Sequence, residues 1–367
     1  MKNSNLANAK RVKNDEFYTQ YGDIQKEIDA YLEYNPDVFR GKVVYCNCDD
    51  PFESNFFRYF VLNFNKLGLK QLITTSYKPS PVANMELPLY GDDKTLTKSK
   101  GRPKVTANKF IINEVKDIDG DGEFNLKDVA RQLKANKNNE WTPLEKDGDF
   151  RSSECVKLLE QSDIVVTNPP FSLFKEYVKQ LFDNNKKFVI IGNKNSVTYK
   201  EIFPLIKDNK MWSGKTEWSG GLWFVTMDNG DVDRVIDGVN MKNVSSVWFT
   251  NIDHGRRHQP LPLMTMKENL KYSKHKEIKG KKAYDKYDNY DAIEVSFTDA
   301  IPSDYDGVMG VPISFLDKYN PEQFEIIGMA EDNGKGFSGG IWDGKNPHCV
   351  INGENKFKRI FIKRKKK

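Results

Sequence analysis

No run of eighteen apolar residues occurs in the 367-residue chain, so no membrane-spanning helix is expected. The opening stretch Met1 to Lys13 is polar and lacks the apolar h-region of a secretory signal. Cysteine is scarce: four residues in a chain of this size argue against a disulfide framework. Cys46 and Cys48 alternate along one expected strand and are poorly placed to bridge each other. These absences lead to the expectation of a reduced, cytoplasmic protein with no membrane partner. Glycine is missing from Asn47-Cys48-Asp49-Asp50-Pro51-Phe52-Glu53-Ser54-Asn55. No G-x-G fingerprint exists there, and a carboxylate-rich loop repels the pyrophosphate that such a fingerprint would cradle.

What is present is an order of elements. Short apolar runs at Gly41–Cys46, Leu69–Thr75, Phe110–Val115, Asp163–Thr167 and Lys187–Gly192 read as strands. Helical patterns follow at Ser54–Phe64, with Ser54 as N-cap, and at Val156–Leu159, Leu173–Phe182 and Glu201–Lys207. This alternation predicts an α/β fold, a mostly parallel sheet with helices on both faces. Lys94 to Pro103 interrupts it and marks a loop or an insertion, placed at about 94–145. Beyond Met211, Trp212, Trp218, Trp223, Trp248 and Gly-rich turns predict hairpins and a separate lobe. The expected division is 1–210 and 211–367.

Charge is modest in sum, +5, but uneven in place. Lys356 to Lys367 holds eight basic residues and no acid. A second basic stretch runs from Arg256 and Arg257 through Lys267, Lys271 and Lys274 to Lys282. Basic stretches confined to one half point to a polyanion partner, with ordinary solvated surface and a frayed tail as the alternative.

Parallel sheets bind ligands beyond the carboxyl ends of their strands. Three loaded loops fall there: Asn47 to Pro51, Ser76-Tyr77, and Asn168-Pro169-Pro170-Phe171. The acidic first loop suits a cofactor with a cationic aminoacyl end, as S-adenosylmethionine has, or is a charged turn before a capped helix. In the third loop, two prolines stop a strand and leave a rigid Asn and an aromatic ring beyond it. The Asn168 side-chain oxygen and the Pro169 carbonyl can accept both hydrogens of an exocyclic amine. Phe171 can stack on the ring that carries that amine. The alternative is a loop whose prolines only end the strand. Asp149-Phe150 either meets the cofactor's adenine or is turn chemistry, and Phe17-Tyr18 has a hydrophobic staple as its alternative.

Asp117 to Asp128 matches an EF-hand loop in its acids at positions 1, 3 and 5 and its Gly122 at position 6. Position 12 is Asp128 rather than Glu, and the element before it reads as a strand. Turn chemistry is the expectation and no metal site is assigned. Calcium on Asp117, Asp119 and Asp121 is the side alternative.

Asn14-Asp15-Glu16-Phe17-Tyr18-Thr19, Cys46-Asn47-Cys48-Asp49-Asp50-Pro51 with Ser54-Asn55-Phe56-Phe57, Val165-Val166-Thr167-Asn168-Pro169-Pro170-Phe171-Ser172 and Asp306-Gly307-Val308-Met309-Gly310-Val311-Pro312 together resemble the EcoRI-type adenine-specific DNA methyltransferases, from about Asn14 to Arg364. The resemblance implies a Rossmann-like methyltransferase core with a C-terminal DNA-recognition lobe. It implies transfer from S-adenosylmethionine to N6 of an adenine flipped out of duplex DNA, with a cognate restriction endonuclease as a further partner. Its catalytic residues would be Asn168, Pro169, Pro170 and Phe171. Its cofactor contacts would be Phe17, Tyr18, Asn47, Cys48, Asp49, Asp50, Pro51, Asp149 and Phe150. The acid expected after the second strand is replaced by Ser76-Tyr77, which makes Ser76 the candidate there. Arg256, Arg257, Lys267, Lys271 and Lys274 would hold phosphates. The same Asn-Pro-Pro-Phe loop also serves RNA adenine and protein glutamine methyltransferases, and a non-catalytic cofactor-sensing DNA-binding protein is the last alternative.

Overall fold

Short apolar strands alternating with amphipathic helices build the first of two units, Met1–Ser196 with Gly214–His254; the second is Val197–Ser213 with Gly255–Lys367. The computed structural model describes residues 18–48, 54–77, 85–86, 97–98, 107–117, 128, 138–225, 232–331 and 336–366. In chain order the first unit contains β1 (Tyr18–Thr19), α1 (Tyr21–Tyr34), β2 (Val43–Cys46), α2 (Asn55–Leu62), β3 (Gln71–Thr75), β4 (Asn108–Ile112), β5 (Glu140–Pro143) and α3 (Ser153–Gln161). It continues with β6 (Ile164–Thr167), α4 (Phe174–Asp183), β7 (Lys187–Asn193), β8 (Leu222–Val225), β9 (Arg234–Ile236), β10 (Val239–Val244) and β11 (Ser246–Thr250).

Seven of these strands form one sheet in the order β11-β7-β6-β2-β3-β4-β5. The centre is parallel: β7 pairs with β6, β6 with β2, and β2 with β3. The flanks are antiparallel, β4 and β5 on one side and β11 on the other. The mostly parallel sheet expected from the alternation is therefore a mixed one. Apolar patterning marks a strand but not its direction, so the run at Phe110–Val115 gave no sign of its antiparallel pairing with β3.

The central strands are buried on both faces, as a sheet covered by helices requires. Phe56, Phe57, Tyr59 and Phe60 project from α2 into a core that includes Val44, Leu72, Val166, Ile191 and Trp248. Each fully buried side chain of this size contributes about 1.5–3 kcal/mol. Ser54 caps α2 through its hydroxyl, as expected, and Ser152 does the same for α3. A smaller antiparallel sheet, β1-β8-β10-β9, completes the unit and carries the N-terminal strand.

The second unit contains α5 (Phe203–Lys207), α6 (Met266–Tyr272), β12 (Ile293–Glu294), β13 (Met309–Pro312), β14 (Phe324–Met329), the hairpin β15 (Val350–Ile351) and β16 (Glu354–Asn355), and β17 (Arg359–Arg364). Its four-stranded sheet runs β12-β13-β17-β14. The basic C-terminal stretch is thus no frayed tail. Ile360, Phe361 and Ile362 are fully buried in β17, a central strand paired on both sides. Its lysines hid a buried apolar triplet that outweighs them.

Candidate active site

β3 lies on one side of β2 and β6 on the other, with β2 the earliest of the three in the chain. The chain therefore reverses its direction of progress across the sheet between β2 and β6. A crevice opens at such a point beyond the carboxyl ends of the strands. The loops that leave those two ends begin with Asn47 and Asn168.

These two loops are tied together. Thr167, the last residue of β6, donates its hydroxyl to the Asn47 carbonyl, and Tyr177 of α4 donates its hydroxyl to the Asn47 side-chain oxygen. Asn47 is buried, and both of these acceptor oxygens are satisfied from the neighbouring β6–α4 segment. At Cys48 the backbone turns into the left-handed region, φ 64°, which costs a non-glycine residue about 1–2 kcal/mol. Cys48 thus stands outside β2, which ends at Cys46, so the two cysteines do not alternate along one strand. No disulfide joins any of the four cysteines.

In the Asn168 loop Pro169 is buried, while Asn168, Pro170 and Phe171 are half-buried. The prolines end β6 as expected, and a single 3-10 turn, Phe171–Leu173, precedes α4. Phe171 rests one side against the core, which leaves it oriented and partly open.

Around these loops the structure sorts the remaining candidates. Phe150 is buried edge-to-face against Tyr177, centroids 5.0 Å apart, so its ring braces the residue that holds Asn47. The Asp149 carboxylate is held by Arg151 at 2.7 Å, and those hydrogen bonds hold its carboxyl below the usual range. Ser76 is buried and exchanges bonds with Asn108, whose N–H it accepts at 2.7 Å. Tyr18 is in β1, paired with Val225, and the adjoining Thr19 carbonyl accepts from Asn55 at 2.8 Å, at the start of α2. That bond brings the N-terminal strand to the carboxyl end of β2. Phe17, Asp49, Asp50 and Pro51 lie outside the described residues. So does most of the EF-hand-like loop, Asp119 and Asp121 included, and no metal-binding cluster occurs among the described residues.

Tyr177 was not among the residues expected from sequence. The signal was its position on the buried stripe of α4 with Phe174, Val178 and Leu181, since a buried phenol needs a partner. Four buried hydroxyls have no hydrogen-bond partner among the described residues, and two of them, Thr19 Oγ1 and Thr74 Oγ1, belong to β1 and β3. Thr74 stands opposite Cys46 near the end of β3. Buried polar atoms left over by the fold are what a polar ligand requires.

A sequence profile described as adenine-specific methyltransferase EcoRI matches residues 5–365. The chain belongs to the EcoRI adenine-specific methyltransferase family. It is 42% identical to "Type II methyltransferase M.EcoRI" of Escherichia coli, over 99% of this chain and 97% of that one. It is 36% identical to "Type II methyltransferase M.MpnI" of Mycoplasma pneumoniae, over 87% and 83% of the two chains. "Type II methyltransferase M.MgeORF184P" of Mycoplasma genitalium is 34% identical, over 87% and 84%. No solved structure matches the chain. Membership makes it an enzyme, an adenine-specific DNA methyltransferase, and favours that reading over the RNA, protein-glutamine and non-catalytic alternatives.

The methyltransferase's basic candidates divide into two kinds. Arg257 is buried, with its guanidinium over the Trp212 ring at 3.9 Å and a bond to Asn209. Arg256 pairs with Asp317 at 2.9 Å in a largely buried setting. Both therefore brace the second unit. Lys267 and Lys271 are exposed on α6, and Lys274 is exposed just beyond it, paired with Asp299. No helix among the described residues is long and apolar enough to cross a membrane.

Proposed function

We propose that the enzyme methylates N6 of a specific adenine in duplex DNA, with S-adenosylmethionine as donor. The observation that carries this reading is the joining of the Asn47 and Asn168 loops at the reversal of strand order, in a chain of this family. S-adenosylmethionine supplies the electrophilic methyl group when bound. In this reading Asn47, Cys48, Asp49, Asp50 and Pro51 hold its aminoacyl end. Phe17 and Tyr18 contact the cofactor as well, with Ser76, Asp149 and Phe150 at the neighbouring strand end. The leftover hydroxyls of Thr19 and Thr74 and the acidic, glycine-free loop fit a polar cofactor with a cationic end.

Asn168 and Pro169 accept the two hydrogens of the adenine amine and so turn its lone pair out of the ring plane. Pro170 keeps the loop rigid, and Phe171 stacks on the base, which must first leave the duplex at a cost of about a few kcal/mol. Positioning and electrostatics carry the catalysis, since the amine becomes acidic only after methylation. Lys267, Lys271 and Lys274 bind phosphates in a sequence-independent way, while the second unit reads the site. A cognate endonuclease cutting the same sequence, and the cytoplasm as compartment, complete the proposal.

The test is Asn168→Ala. Methyl transfer to DNA should fall by at least 100-fold (on the order of 3 kcal/mol, as for loss of one oxyanion donor) while cofactor affinity persists. Transfer at the wild-type rate would refute the assignment.

A further inference from the structure

Phe357 is 88% exposed, the most exposed large apolar side chain among the described residues. It stands between Lys356 and Lys358 in the short link from β16 to β17. This link is firmly held. The Arg359 guanidinium donates to the Phe357 carbonyl at 3.1 Å and to the Lys358 carbonyl, and Lys356 N–H donates to the Cys349 carbonyl at 2.7 Å. Arg359 is itself fixed by the buried Glu294 at 2.7 Å, and Glu294 also accepts from Tyr287 and Ser296. A buried ion pair thus pins the backbone of a link whose one apolar side chain points into water. Packing gives no reason for that ring, because water is the worst surrounding for it.

The charge around it identifies what covers it. Lys281 and Lys356 line one cavity of about 210 Å³ with Arg359 and with the acids Glu277, Asp285 and Glu294, which places the link beside the basic stretch without making the cavity itself basic. Lys282 and Lys358 make no ion pair among the described residues, while Lys281 and Lys356 pair with Asp285 and Glu354 at the surface. The exposed pair Val235 and Ile236 in β9 has Arg234 on one side and Asp237 on the other, and so lacks the two flanking cations of Phe357. An apolar ring flanked by cations suits a stacked base step between two phosphate backbones.

We propose that Phe357 is a DNA contact, a ring that wedges against or between base pairs of the duplex while Lys358 holds an adjacent phosphate. The Glu294–Arg359 pair sets the link in place and has a positioning role. This rests on the DNA reading above and adds to it a residue outside the catalytic loops.

The experiment compares full-length wild type, Phe357→Ala, Phe357→Trp and Lys358→Ala on a duplex carrying the site that wild type methylates, mapped by sequencing. Affinity is measured across a salt series, and 2-aminopurine fluorescence reports unstacking. Phe357→Ala should weaken binding about tenfold or more with an unchanged salt slope and lose the unstacking signal, and Phe357→Trp should restore both. Lys358→Ala should lower the salt slope by about 0.9. Wild-type affinity and unstacking in Phe357→Ala would overturn the proposal. A wild type that methylates no duplex would instead overturn the DNA reading, and this inference with it.

Discussion

Thr167 donates its buried hydroxyl to the backbone carbonyl of Asn47, joining the last residue of β6 to the first residue beyond β2. One hydroxyl therefore sets the spacing between the proposed cofactor loop and the proposed catalytic loop. Thr167→Val keeps the shape and leaves that carbonyl buried without its donor, a loss of about 1–3 kcal/mol. The urea midpoint should fall at unchanged slope, and methyl transfer should fall further than the population of folded protein does. A stable variant of full activity would show that the tie does not position the loops.

Tyr177→Phe removes the bond to the Asn47 side chain but keeps the ring that Phe150 braces. Cofactor affinity should weaken by about fivefold to tenfold, equivalent to one lost neutral hydrogen bond, beside a stability loss of about 1–3 kcal/mol for the Asn47 oxygen left buried without its donor. Isothermal titration with S-adenosylmethionine reads this directly. Unchanged affinity would separate Asn47 from the cofactor.

Gly148→Ala tests the packing behind Ser76. A Cβ at this position would lie 1.9 Å from the Ser76 carbonyl oxygen, on a backbone with φ +77°. The loop carrying Asp149 must then move away from the end of β3. A stability loss of about 2 kcal/mol or more is expected, read as a lower melting temperature.

Acid sensitivity follows from Asp149. Hydrogen bonds from Arg151 hold its folded-state proton affinity below the ordinary value of 3.8. Its contribution to stability is then present above that value and is lost as pH falls through the lower, folded one. Asp149→Asn should cost stability near neutral pH, with the gap to wild type closing as pH falls below 3.8. Urea midpoints in a pH series check the sign; a gap that widened in acid would contradict it.

In the second unit, Arg359→Met leaves Glu294 buried without its counter-charge. The expected cost is about 3–5 kcal/mol, with partial recovery on adding Glu294→Gln. Equilibrium unfolding of the single and double variants measures both.

Local chemistry was readable in the chain wherever a residue's effect is felt within a few positions. Ser54 caps α2 because a serine hydroxyl reaches the next turn's N–H groups. Pro169 and Pro170 end β6 because neither can donate to a ladder. Asn168 and Phe171 stand where those prolines leave them. These features depend on covalent geometry and nearest neighbours, so one dimension suffices.

Long-range partners were not readable. Arg256 and Arg257 look like phosphate ligands in a basic run, yet Asp317, Trp212 and Asn209 claim them from far along the chain. The terminal lysines look like a tail, yet β13 and β14 take Ile360 to Ile362 between them. Thr167 and Asn47 are separated by 120 positions and meet because β2 and β6 are neighbours in the sheet. Strand order is set by the burial of many side chains at once, a sum that no local pattern contains. The residues suited to grip an amine were therefore written in the chain, while their approach to the loop proposed to hold the donor depended on the folded sheet.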